Sequence, residues 1–126
     1  MKHFDYFAPT EIIFGAGRVT EAGALAARYG KKAMLVTVPE FPAVAELYAK
    51  VKKSLADAGV ACVHYDGVIP NPTTELVTRG AELAKAEGVD VVIGLGGGSS
   101  MDTAKAIGII INNPEFADVR SLEGVA

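Results

Sequence analysis

Val91-Val92-Ile93-Gly94-Leu95-Gly96-Gly97-Gly98-Ser99-Ser100-Met101-Asp102-Thr103-Ala104-Lys105 is the stretch whose reading decides how this chain folds. Its apolar opening has strand composition, its glycines end the strand, and the residues that follow have helical spacing. A strand that passes through consecutive glycines and two serines into a helix leaves backbone N–H groups uncovered, and the helix adds the positive end of its dipole. Such a junction can cradle an anion, phosphate foremost. The run does not satisfy G-x-G-x-x-G, because the third glycine counted from Gly94 falls at Ser99, and counted from Gly96 at Met101. It is not a P-loop either. A lone glycine is most simply explained by close packing of a helix on a sheet. Three in succession, each carrying up to ~1 kcal/mol of extra chain entropy relative to alanine, ask for a stronger reason.

Outward from this junction, strands and helices alternate. Residues 11–14 read as a short strand stopped by Gly15, and residues 19–29 carry the apolar spacing Val19, Ala22, Leu25, Ala26, Tyr29 of an amphipathic helix, with Gly30 as its stop. Residues 33–37 form a continuous apolar run of strand length. Pro39 and Pro42 then end it and open a helix over 43–58, closed by Gly59. The third strand spans 60–65, and Thr73 or Thr74 caps a helix that reaches Glu87 and stops at Gly88. The fourth strand, 90–95, feeds the glycine run, and a final helix covers 99–111 before Asn112-Asn113-Pro114 breaks it. Residues 116–126 read as irregular. Apolar strands alternating with helices predict an α/β fold with a parallel sheet flanked by helices. Right-handed crossovers place the ends of the second and fourth strands on the same edge, where ligands bind in open α/β sheets.

Composition narrows the function. The chain has 126 residues, half of them apolar, which suits one domain with a core of its own. A net charge of −3 with scattered lysines and arginines argues against nucleic acid, and the apolar runs are too short to cross a membrane. No secretory leader is legible at the N-terminus, and Cys62 has no partner cysteine, so a cytoplasmic setting is expected. The two histidines, His3 and His64, do not form a ligand cluster.

The segment from Gly96 to Ile107, preceded by Asp66-Gly67-Val68-Ile69-Pro70-Asn71-Pro72 and by Phe14-Gly15-Ala16-Gly17, resembles the N-terminal part of the iron-dependent (group III) alcohol dehydrogenases. The tail from Asn112 to Gly124 is most similar to the lactaldehyde reductase and 1,3-propanediol dehydrogenase branch. The resemblance implies that residues 1–126 are an incomplete, Rossmann-like dinucleotide-binding domain. It implies NAD or NADP as cofactor, an alcohol or aldehyde as the substrate of the parent enzyme, and hydride transfer as its reaction. Iron(II) is expected only with a helical C-terminal domain that this chain does not contain, so the chain alone is expected to be inactive in alcohol oxidation.

Site residues follow from the same resemblance. Gly97, Gly98 and Ser99 would set their N–H groups against the pyrophosphate, and Ser100 and Met101 would continue the contact through backbone groups. Asp102 would approach the nicotinamide ribose, or else simply pair with Lys105 one turn on. Asn71 would lie near the cofactor, although an asparagine between prolines is also an ordinary turn. Val38 stands where the branch usually has an aspartate that meets the adenosine ribose, so the choice between NAD and NADP stays open. Two alternatives remain: a zinc-dependent relative such as glycerol dehydrogenase, and a free-standing nucleotide-binding module without catalysis. Missing later strands would leave a sheet edge open, and a homo-oligomer is therefore expected.

Overall fold

The computed structural model describes His3 and residues 5–115. Lys32–Val36 forms β1, Ala61–Tyr65 β2 and Val91–Gly94 β3, in a parallel sheet of order β2-β1-β3. Val36, near the end of β1, lies opposite Tyr65 on one side and Gly94 on the other. The helices are α1 (Ala22–Ala26), α2 (Pro42–Asp57), α3 (Thr74–Glu87) and α4 (Gly98–Asn112).

β1 is buried on both faces, and its alternation divides the core. Ala33 and Leu35 pack with Ala26 of α1 and Val51 and Leu55 of α2. Met34 and Val36 pack with Val77, Ala81 and Ala84 of α3 and with Ala104, Ile107 and Ile110 of α4. The period of two thus sends successive side chains into opposite helical layers. Met34, Leu35 and Val36 have no solvent exposure, and burial of each stabilises the fold by about 1.5–3 kcal/mol.

Local chemistry sets the helix ends. Pro42 occupies the first turn of α2, where its missing N–H removes nothing from the helix. The Thr73 side chain accepts from the Leu76 amide at the start of α3, and Gly88, at φ 66°, ends it in the left-handed region.

Three expectations need correction. Residues 11–14 form no ladder: Ile12 and Phe14 are 84% and 92% exposed, and no strand among the described residues pairs with them. The helix expected over 19–29 is a 3-10 turn, Arg18–Glu21, followed by the short α1, which gives way to a turn after Ala26. The third strand is not apolar on both faces, because β2 is an edge strand whose Ala61 and Cys62 are exposed. The expectation for 116–126 falls outside the described residues.

From β1 the chain moves through α2 to β2 on one side, then returns through α3 across β1 to β3 on the other. Strand order therefore reverses between β1 and β3. The carboxyl ends of strands at such a reversal border the crevice where open α/β sheets take ligands. Val38 follows one of these two strands, and the glycine run follows the other.

Candidate functional site

The glycines of the junction serve different physical ends. A Cβ on Gly94 would lie 3.0 Å from the Ala104 side chain and from the Ser100 carbonyl, so this glycine lets α4 sit close on β3. Gly96 has φ +139°, a conformation that L side chains rarely adopt, and a Cβ there would come within 2.8 Å of Ser100 Oγ. Gly97 and Gly98 differ from both. Their φ angles are not positive, and a Cβ on either would meet nothing within 4 Å. No described residue requires glycine at these two positions, although Gly98 in the first turn costs helix stability relative to alanine. The room they leave faces outward.

The donors around that room lack acceptors. Gly97 caps α4 without a side chain to accept a bond, while the amides of Ser100 and Met101 reach back to the Gly97 carbonyl at 3.1 and 3.2 Å. The amides of Gly97, Gly98 and Ser99 meet no acceptor among the described residues. Ser100 is 1% exposed, and its Oγ, beneath Gly96, has no hydrogen-bond partner. Orphaned buried hydroxyls are rare enough to ask for a partner. An anion with several oxygens at a helix start would satisfy this donor set, so the residues present fit a phosphate-bearing cofactor. Thr103 Oγ1 donates to the Ser99 carbonyl at 2.7 Å and braces the turn from within.

The other predicted residues fall around this centre. Met101 is 46% exposed. Asp102 is exposed as well, and its carboxylate lies 3.9 Å from Lys105 Nζ, a loose pairing of the kind expected one turn apart. Asn71 has φ 54° and is exposed in the turn before α3. Its neighbours Pro72 and Thr73 share a cleft of about 280 Å³ with Asp102, Thr103 and Ala106, so the starts of α3 and α4 face one another.

Val38 is half-buried beyond β1, and its carbonyl accepts from two hydroxyls, Thr37 Oγ1 at 2.6 Å and Tyr48 at 3.2 Å. Thr37 Oγ1 also lies 2.9 Å from His64 Nε2, and the Tyr48 ring stands edge-on to the imidazole. Burial holds the His64 imidazole below its ordinary value, Lys52 acts in the same direction, and Asp66 and Glu40 oppose them. Sequence reasoning left His64 in a strand without a role, did not register Tyr48, and gave Ser100 a contact through its backbone only. A threonine ending a buried strand opposite a histidine was the available signal, but it is visible only once the register is known.

A cleft of about 520 Å³ between α1 and α2 lies away from the strand ends. Its lysines, Lys50 and Lys53, are paired with Glu46 and Asp57. Among the described residues no three His, Cys, Asp or Glu side chains gather as a metal site. An iron ion therefore finds no ligand set among the described residues. No helix among the described residues is long and apolar enough to cross a membrane.

Residues 9–125 match the family model described as iron-containing alcohol dehydrogenase. Over 113 residues the chain is 45% identical to the lactaldehyde reductase of Escherichia coli strain K12, covering 90% of this chain and 30% of that protein. It is 33% identical to the NAD-dependent methanol dehydrogenase of Bacillus methanolicus, over 94% of this chain and 32% of the relative. Among solved structures, an archaeal halo-thermophilic Red Sea brine pool alcohol dehydrogenase superposes with a TM-score of 0.82 and 41% identity, over 88% of this chain and 28% of that one. The chain thus spans about 30% of the length of the curated relatives it matches.

Proposed function

The chain belongs to the iron-containing alcohol dehydrogenase family, and from that premise we propose that residues 1–126 are the dinucleotide-binding part of an NAD(P)-dependent alcohol dehydrogenase. The bound nicotinamide would supply the hydride acceptor or donor for an alcohol or aldehyde. This chain's share of the work is to hold and orient the cofactor. The amides of Gly97, Gly98 and Ser99 take the diphosphate at the positive end of α4, while the backbone groups of Ser100 and Met101, whose amides donate to the Gly97 carbonyl, close the turn that presents them, with the Ser100 hydroxyl beneath Gly96. Asp102 repels phosphate and belongs to the ribose on the nicotinamide side. Asn71 borders the same cleft rim, and Val38 meets the adenosine side.

The observation that carries this reading is the outward room at Gly97 and Gly98, which the fold itself does not use. The name of the Bacillus methanolicus relative supports NAD as one cofactor. Titration of the chain with NAD and with NADP, followed by calorimetry on wild type and Gly98→Val, tests it. Binding by wild type and its loss in the variant are the expected results, and equal binding by both would overturn the reading.

Association with copies of itself belongs to the same proposal. Among the described residues β3 is paired on one side only, and Tyr6, Phe7, Ile12 and Phe14 are each more than 80% exposed. An open strand edge and exposed aromatic residues each favour self-association. Sedimentation as a single monomeric species would count against it. Composition supports a cytoplasmic protein without a nucleic-acid or membrane partner.

A further inference from the structure

Thr37, the first residue beyond β1, has every polar function engaged. Its N–H donates to the Tyr65 carbonyl at 2.9 Å, and its own carbonyl accepts from the Val68 amide at 3.2 Å. Its hydroxyl lies 2.6 Å from the Val38 carbonyl and 2.9 Å from His64 Nε2. A carbonyl can only accept, so the Thr37 proton goes to Val38, and the hydroxyl oxygen must accept from His64. That fixes the imidazole with its proton on Nε2. The Tyr48 hydroxyl gives the Val38 carbonyl its second hydrogen bond. The next residue is Pro39, which has no N–H, so the carbonyl is the only polar group of the Val38–Pro39 peptide and these two bonds set its plane. With both lone pairs used inside the protein, the peptide offers no acceptor to a ligand at the rim. The rim beside the glycine run is left with the uncharged Val38.

We propose that His64 is a positioning residue for the dinucleotide: acting through the Thr37 hydroxyl, it holds the Val38 peptide turned inward and so fixes the wall of the site that faces the adenosine side. The inference rests on the nucleotide reading above. It extends that reading to a strand, β2, that does not touch the glycine run. His64 makes no contact with the cofactor in this scheme; its effect passes through one hydroxyl and one carbonyl.

Inorganic pyrophosphate and ADP separate the two halves of the site, because both engage the cradle and only ADP reaches the wall. Calorimetry with these ligands and NAD, on His64→Leu, His64→Gln and Thr37→Val with the melting temperature of each, gives the test. His64→Leu and Thr37→Val should weaken ADP and NAD about tenfold and change pyrophosphate by less than about twofold, the scale of one lost buried hydrogen bond. His64→Gln keeps a donor within reach of Thr37 and should return ADP affinity to within about threefold of wild type. Should His64→Leu fail to fold, Thr37→Val carries the same expectation. Unchanged ADP affinity, equal weakening of pyrophosphate, or a glutamine variant no better than leucine would each overturn the role of His64. If wild type binds ADP and Gly98→Val does not, those outcomes leave the nucleotide reading standing. A wild-type chain that binds neither ligand removes both.

Discussion

The two ends of the sheet solve the same problem in opposite ways. At the amino ends of β1 and β3, the Asp90 carboxylate accepts from the amides of Lys31 at 2.9 Å and Lys32 at 2.9 Å, and the Asp90 amide donates to the Lys32 carbonyl at 3.0 Å. Gly30 is glycine because the carboxylate fills its space, and a Cβ there would lie 2.2 Å from Asp90 Oδ1. At the carboxyl ends, the amides of Gly97, Gly98 and Ser99 meet no acceptor among the described residues, and a Cβ on either glycine would meet nothing within 4 Å. One residue type thus has two explanations. Where glycine makes room for an acceptor of its own chain, the end is closed and structural. Where it makes room for nothing in the chain, the acceptor is to come from outside.

Paired substitutions break this comparison most sharply if it is wrong. Gly98→Val should reduce NAD binding by at least about thirtyfold while moving the melting temperature by only about 2 °C, since a Cβ there meets nothing within 4 Å. Gly30→Ala should do the reverse. Its methyl displaces Asp90, destabilising the fold by about 1–3 kcal/mol in urea titration and leaving nucleotide affinity within about twofold. Gly96→Ala lies between the two, because strain at φ +139° and contact with Ser100 act inside the loop itself. About 1–2 kcal/mol of destabilisation with a partial loss of affinity is expected, checked by the same two measurements.

Much of this contrast was legible before the fold was known. The apolar run at 33–37, the helix stops at Gly59 and Gly88, and the threonine cap before α3 are local chemistry, and local chemistry survives in the sequence. The glycine run reads as an anion cradle on the same local grounds. The strand over 11–14 failed because composition describes a segment's fitness for pairing and cannot supply a partner. Likewise, no spacing rule links His64 to Thr37, which are 27 residues apart and meet only through the parallel register of β1 and β2. Among the glycines, sequence could not separate Gly94 and Gly96, which the fold needs, from Gly97 and Gly98, which it does not.

Asp90→Asn sharpens the amino-end half of the comparison. Amide donors from Lys31 and Lys32 hold the Asp90 carboxyl below its ordinary 3.8. The stabilisation they bring is present above 3.8 and is lost as pH falls through the lower folded value. The variant should melt below wild type at neutral pH and approach it in acid, with nucleotide affinity unchanged throughout.

The smallest effect lies at the other end and in a different pH range. His64 has a folded value below the 6.5 of the free side chain, chiefly through burial. As pH falls through 6.5 the unfolded chain takes up the proton first, so the folded state loses stability across the window between 6.5 and the lowered value, and none above it. Because a protonated imidazole still donates from Nε2, the Thr37 bond persists, and the loss comes chiefly from the desolvated charge, with Lys52 adding to it and Asp66 and Glu40 opposing it. Thermal melts of wild type should therefore fall modestly on acidification through this window, and the fall should be shallower in His64→Gln, while Asp90→Asn keeps the wild-type slope. If His64→Gln retains the full slope, the imidazole is not the group that titrates, and the two ends of the sheet are not separately readable by acid.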